Sequence, residues 1–416
     1  MKKITLLYLM LCLSLAVQAA PADKADKGNK SQATEVSTPA DPKADKKAGG
    51  PKADKKDPKG GKKAGGPKGD KKKPKGDKKA GRGERTAPKD STDALAAQLR
   101  HTDALLEDPD IIGTAVSWQK NGDAIIKVYV TRKGVDVPAS LDGVPVKVQR
   151  VGRIYATSIP CEARPGNEGC NAETQAAALA QDGGIDGEAN SQRDWQMRPV
   201  PIGVSIGSSD AIAATLGCRV SRGCHNYALT NSHVVADTTA ELTQPGAYDG
   251  GIEHEDAIAS LYESVPIVLG TGAEVANRVD AAIFRIDSNK VGTATRSNGY
   301  GEPRFDTLEP ALNLGVMKYG RSSAMTNGYI DAINATVIVR YPSGDARFVE
   351  QLIIRSTSKK VDFSLPGDSG SLVVASDGDD QRKPVGLLFA SGRGISVANP
   401  INDVLIELDI DIDGGI

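Results

Sequence analysis

The string Gly367-Asp368-Ser369-Gly370-Ser371 sets a serine between glycines. A tight turn there would expose the hydroxyl together with two neighbouring backbone N–H groups. Acyl transfer needs that combination, a nucleophile beside donors aimed at a developing oxyanion. The same string also occurs in ordinary turns, so its meaning depends on a base. The chain has four histidines, His101, His225, His233 and His254, and all precede Ser369. An α/β-hydrolase would place its histidine after the serine, and its Gly-x-Ser-x-Gly elbow would need glycine at position 371. Neither condition is met, which leaves a fold with histidine before serine.

Among the four, His101 falls in a predicted helix as a surface residue. His225 follows Cys224 in a tight hairpin, and His254 sits among Glu253, Glu255 and Asp256 as a solvated loop residue. His233 ends the apolar run Tyr227-Ala228-Leu229-Thr230-Asn231-Ser232-His233. A strand end holds a side chain rigidly at the lip of a cleft. The acid that would orient it is expected between His233 and Ser369. Asp280 opens the apolar strand Ala281-Ala282-Ile283-Phe284, where burial would aim its carboxylate at an imidazole N–H. Asp249 and Asp256 are alternatives in Gly- or Glu-rich loops.

At these residues the sequence resembles the trypsin-like, chymotrypsin-fold serine peptidases of the secreted bacterial type. The resemblance rests on Thr230-Asn231-Ser232-His233, Val279-Asp280-Ala281-Ala282, Gly367-Asp368-Ser369-Gly370 and their order in the chain. Tyr319-Gly320-Arg321-Ser322-Ser323 and Gly328-Tyr329-Ile330 also look like the strand pair that opens the family's second barrel. It implies that Ser369 is the nucleophile, His233 the general base and then acid, and Asp280 the orienting group. The N–H groups of Gly367 and Ser369 would form the oxyanion hole. Ala390-Ser391-Gly392 lies where members pair with an extended substrate backbone. Phe363 stands six positions before the serine, where trypsin itself carries a specificity aspartate, so no cation-binding carboxylate is evident there.

The elements that must position these groups follow from texture. From about Val200 to Ile416, short Val/Ile/Leu runs alternate with Gly, Asp, Asn and Ser turns. That pattern predicts a mainly β fold, and the resemblance implies two six-stranded antiparallel β-barrels meeting at the triad. Before it, Leu95, Leu99, Thr102 and Leu106 mark one face of a helix running to about Glu107. Strands are expected at Gly113–Trp118, Ala124–Val130 and Val144–Val151, with Asn121-Gly122 as a hairpin signal. Residues 91–160 therefore read as a small α+β unit, a pro-domain or docking module. Residues 161–199 read as a polar linker carrying a disulfide loop.

The near-neutral total, 52 Lys+Arg against 53 Asp+Glu, averages two unlike parts. Residues 21–90 hold 22 basic and 11 acidic groups, and residues 91–416 hold 28 and 42. The basic part is low-complexity. Lys46-Lys47-Ala48-Gly49-Gly50-Pro51-Lys52 recurs at 62–68, and the segment is expected to be disordered. It reads as a solvated spacer, or as a tether to an anionic cell-envelope polymer. With no aromatic residue among its lysines, no nucleic-acid partner is expected. Lys2, Lys3 and the apolar run Ile4–Val17 form a signal peptide cut after Ala19. The chain is thus expected to be secreted or periplasmic.

No later stretch reaches the roughly 18 apolar residues of a membrane span. Export leaves Cys161, Cys170, Cys218 and Cys224, an even set that points to disulfides. Three pairings are open, and the local one, Cys161–Cys170 with Cys218–Cys224, closes two short loops. No metal or cofactor is expected. Together these readings describe an exported serine endopeptidase acting through an acyl-enzyme on protein or peptide substrates. The rival is a catalytically inactive, peptidase-like binding or adhesion protein of the cell envelope.

Overall fold

The computed structural model describes residues 91–157, 191–208, 214–235, 237–286 and 289–414. The expected signal peptide, the Lys-rich segment, Cys161 and Cys170 lie outside these residues. The described chain is mainly β, with two α-helices, α1 (Ser91–Leu106) and α2 (Ile401–Leu408).

Helix α1 and the strands Ile111–Trp118, Ala124–Val130 and Val144–Arg150 form where periodicity and the Asn121-Gly122 turn predict them. Gly122 takes φ +87° in that turn, a conformation glycine adopts without steric cost. The inward face of α1 differs from the expected one. Ala94, Ala97, Gln98 and Thr102 are buried, while Leu95 and Leu99 are exposed. The helix seats on the sheet through small and polar groups. Gln98 Nε2 donates to Thr114 Oγ1 at 3.1 Å and to the Asn334 carbonyl at 2.8 Å, and Thr102 Oγ1 meets Thr114 Oγ1 at 2.6 Å. Leucine at those positions would hold the helix off the strand and leave these groups unpaired.

Six strands pair in a closed circuit: Gly315–Gly320, Leu372–Ala375, Pro384–Gly392, Ile395–Pro400, Gly344–Ser356 and Ala324–Tyr341. The ring is not a free-standing barrel. Its two longest strands, of 18 and 13 residues, form a ladder with each other. The longer also pairs with Ile111–Trp118, and through it the sheet continues into Ala124–Val130, Val144–Arg150 and Ser140–Leu141. The other half is an open six-stranded sheet. Its order is Glu241–Thr243, Ala257–Ser264, Ala282–Ile286, His225–Thr230, Cys218–Arg222 and Asp411–Ile412. Its edges are strands of three and two residues; they do not pair with each other, and the three-residue edge is bridged instead from Thr243 to Gly207. Two separate six-stranded barrels are therefore not what the described strands form.

The apolar cores cross these boundaries. One cluster joins Leu229, Ile283 and Phe284 of the open sheet to Met317, Leu372 and Leu387 of the ring and to Val404 and Leu408 of α2. Another joins Ile112, Tyr129 and Ile154 to Val337, Phe348 and Phe389.

Of the two described cysteines, Cys218 departs from expectation. Cys218 is a free, buried thiol, so none of the three two-bridge pairings forms. The register opposes His225 to Arg222 and Leu229 to Cys218, which puts Cys224 in the hairpin turn and Cys218 four residues back along the strand. Four steps of extended chain span roughly 13 Å, beyond the roughly 7 Å that a disulfide allows between Cα atoms. Burial pushes the Cys218 thiol up, away from the reactive thiolate. Iodoacetamide is thus expected to leave Cys218 unmodified in the folded chain and to alkylate it after unfolding in guanidinium. Peptide mass spectrometry reads the difference, and equal alkylation in both states would contradict the burial.

Candidate active site

The strand His225–Thr230 lies antiparallel to Ala282–Ile286, with Thr230 opposite Ala282. That register brings the end of one strand beside the start of the other, and so His233 beside Asp280. Asn231 Nδ2 closes the gap by donating to the Asp280 carbonyl at 2.7 Å. His233 itself sits in a single 3₁₀ turn, Ser232–Val234.

The Asp280 side chain is wholly buried. Oδ1 accepts the backbone N–H of His233 at 3.1 Å. Oδ2 meets His233 Nδ1 at 2.5 Å and accepts the Tyr341 hydroxyl at 2.9 Å. A carboxylate only accepts, so in the neutral imidazole Nδ1 carries the proton and Nε2 is the acceptor. Nε2 lies 2.9 Å from Ser369 Oγ. Three residues spread over 136 positions thus form one chain of hydrogen bonds. The imidazole is 5% exposed, and the Tyr341 ring packs against it with centroids 5.7 Å apart. Burial, with the Asp280 charge beside it, raises the Tyr341 hydroxyl well above its ordinary value, so it stays a donor.

The serine turn belongs to the ring but is pinned by the other half. Thr215 N–H donates to the Ser369 carbonyl at 2.7 Å, and Thr215 Oγ1 donates to the Gly367 carbonyl at 2.8 Å. Gly367 and Gly370 have φ +99° and +90°. A Cβ on Gly370 would come 2.3 Å from the Thr215 carbonyl oxygen, so this approach demands glycine.

Between them, Asp368 points inward. It accepts from the N–H groups of Ser322 and Leu365 at 2.8 Å and from Ser323 Oγ at 2.5 Å. Its counter-ion is Lys318, 3.2 Å away, and both side chains are wholly buried. Desolvation lowers the Lys318 ammonium from its usual value, and the neighbouring carboxylate opposes that fall.

The remaining predicted residues fall as follows. Asp249 is taken by Arg321, whose Nε lies 2.6 Å from Oδ2, and Asp256 accepts the N–H of Ile252, so neither reaches His233. His101 faces Asp142, His225 is exposed near Arg285, and His254 pairs with Glu241 on the surface. Phe363 is buried in the ring's apolar core, with the Lys318 ammonium 5.9 Å from its ring centroid. Ala390 and Ser391 face the strand Ile154–Ala156, in antiparallel register with Ala156 and Tyr155, and Gly392 ends their strand.

Two residues at the site were not picked out from sequence. Tyr341 had no signal beyond an apolar run. Thr157 follows Ile154-Tyr155-Ala156, and its hydroxyl is hydrogen-bonded to Ser369 Oγ.

A prediction attaches to the buried pair. Lys318→Met leaves the Asp368 charge without its counter-ion and is expected to cost about 3–5 kcal/mol of folding stability. Asp368→Asn added to that variant removes the stranded charge and is expected to return part of the loss. Denaturant unfolding measures both, and a Lys318→Met chain as stable as wild type would contradict the assignment.

Residues 306–396 match the family described as the Nal1 C-terminal domain, a span that holds Ser369 but neither His233 nor Asp280. The chain is 29% identical over 212 residues to Protein NARROW LEAF 1 of Oryza sativa subsp. japonica. That alignment covers 44% of this chain and 36% of the relative, so the chain spans about a third of the curated relative it matches. Among solved structures, Thermobifida fusca Protease A superposes with TM-score 0.37 and 19% identity, over 52% of this chain and 98% of that one. Cellulomonas bogoriensis chymotrypsin superposes with TM-score 0.36 and 17% identity, over 52% and 99%.

Proposed function

We propose that the protein is a serine endopeptidase that hydrolyses peptide bonds through an acyl-enzyme. The observation that carries this is the continuous relay from Asp280 through His233 to Ser369, with an acceptor nitrogen 2.9 Å from the serine hydroxyl. In the reading, Ser369 Oγ attacks the substrate carbonyl and passes its proton to His233 Nε2. The imidazolium forms against the buried Asp280 carboxylate, which keeps its charge. His233 then gives the proton to the departing amine, and the same steps run with water to free the acyl group. The N–H groups of Gly367 and Ser369 receive the oxyanion. Lys318 and Asp368, paired and buried beneath it, hold that turn in shape.

Ser369→Ala is expected to lower kcat on a denatured protein by about 10⁶-fold, since the three groups act as a unit. Asp280→Asn is expected to cost about 10⁴-fold by favouring the wrong imidazole tautomer. Tyr341→Phe removes one donor to a charged group, and about a tenfold loss in kcat/KM is expected. A fluorophosphonate probe reports on the nucleophile directly. A chain that neither labels at Ser369 nor hydrolyses a denatured protein would be a peptidase-like binding protein instead.

Export of the protein is proposed on Lys2, Lys3 and the apolar run Ile4–Val17. The exported protein is expected to begin at Ala20, and removing residues 1–19 should leave it inside the cell. N-terminal sequencing and fractionation check this; export unchanged by the deletion would refute it. The Lys-rich segment is read as a spacer or a tether to an anionic envelope polymer.

A further inference from the structure

The cleft beside Ser369 is filled by the chain itself. The strand Ile154–Ala156 pairs antiparallel with Pro384–Gly392, Ala156 opposite Ala390 and Tyr155 opposite Ser391. Thr157 extends the ladder. Its N–H donates to the Phe389 carbonyl at 3.0 Å, and its own carbonyl accepts the N–H of Gly367. Its hydroxyl lies within hydrogen-bonding reach of Ser369 Oγ and of the Phe389 carbonyl, the latter at 3.2 Å. Ile154, Tyr155, Ala156 and Thr157 are all buried.

An extended backbone on a sheet edge, ending with a carbonyl on an oxyanion-type donor beside a relayed serine, is how the acyl side of a peptide substrate must lie. The geometry points to a self-processing site. Ser369 cleaves the chain's own peptide bond after Thr157, and residues 154–157 then stay in the cleft as the acyl-side product and block it. This rests on the peptidase reading above.

The step balances without an outside reagent other than water. Ser369 Oγ bonds to the Thr157 carbonyl carbon, and its proton moves through His233 to the amide nitrogen that follows Thr157. The C–N bond breaks, leaving a new amino terminus. Water then attacks the ester, its proton returns Ser369 to the hydroxyl, and Thr157 ends as a carboxylate. The substrate class follows from the strand: a small β-branched residue on the acyl side of the cut, preceded by Ile-Tyr-Ala.

The cut pieces have reason to stay together. The strand Ile111–Trp118 is in ladder with Ala324–Tyr341, and Ile154–Ala156 pairs with that strand as well as with Pro384–Gly392. Lys127 forms a buried ion pair with Asp331 at 2.6 Å, and Arg347 meets Asp103 at 2.6 Å. Residues up to Thr157 would therefore remain as a bound inhibitor until displaced.

The test uses the full chain and its Ser369→Ala variant, which loses one oxygen and keeps the fold. Wild type is expected to give two pieces on a denaturing gel that coelute on native gel filtration, the second beginning at Ser158. Ser369→Ala is expected to stay whole. A second variant, Thr157→Pro, removes the N–H given to Phe389 and unseats the strand. It is expected to lose the cut at 157, while fluorophosphonate labelling of Ser369 speeds up about tenfold as the cleft empties. A wild-type chain that stays whole while Ser369 labels and a denatured protein is hydrolysed would overturn the self-processing site and leave the peptidase reading standing. Equal cutting in Ser369→Ala would also overturn it, by assigning the cut to a foreign peptidase. No cut, no labelling and no hydrolysis would remove the peptidase reading and this inference together.

Discussion

A carboxylate removed from water must be met by donors, or its burial is strongly unfavourable. Asp280 meets that demand from elements far apart in sequence. The His233 backbone and ring come from the end of one strand, and the Tyr341 hydroxyl comes from the far end of the long ring strand. Its backbone N–H is given to Asn399 Oδ1, and Asn399 in turn donates to Gln351. The open sheet and the ring are therefore keyed together at one buried charge. The imidazole orientation, its tautomer and the reach to Ser369 all follow from that anchoring.

A second buried charge performs the same office for the serine turn. Asp368 turns inward beneath Ser369 and is compensated by Lys318 and by N–H and hydroxyl donors of residues 322, 323 and 365. Thr215 reaches across from the other half to clamp both sides of the turn. The three hydrogen-bonded positions are thus held by packed strands and paired charges, and a relay of this kind works only if its members stay within a few tenths of an ångström. The strand Ile154–Ala156 joins the same frame, because its ladder partners are the strands that flank the site.

Some of this was legible residue by residue. His233 is marked by its place at the end of an apolar run, Asp280 by its place at the start of one, and Ser369 by its two glycines. Those signals are local, because strand ends and tight turns are dictated by nearby residues. Other features have no local signal. Tyr341 looks like any apolar strand residue, and only the length and register of its strand carry the hydroxyl to Asp280. Thr157 sits at the end of a short apolar run, and only the pairing of that run with Ala390 and Ser391 puts it on the serine. Lys318 in a strand reads as an outward-facing charge, yet it is buried. Leucine spacing points Leu95 and Leu99 inward along with Thr102 and Leu106, whereas the sheet buries Thr102 but accepts a close approach through Ala94, Ala97 and Gln98 in place of the two leucines. The expected Cys218–Cys224 bridge fails because a few residues of extended strand already separate two Cα atoms by more than a disulfide can span.

The amino-acid order alone determined that the chain is mainly β beyond its N-terminal helix, that a serine turn and one histidine stand out, and that their order excludes the α/β-hydrolase arrangement. These depend on periodicity and turn chemistry, which act over a few residues. Tertiary structure decided that Asp280 rather than Asp249 meets His233, that Lys318 neutralises Asp368, that the ring opens into the N-terminal strands rather than closing as a separate barrel, and that the chain lies in its own cleft. Each of these depends on strand register and on where a buried charge finds its partner, and both are set by contacts between residues tens to hundreds of positions apart.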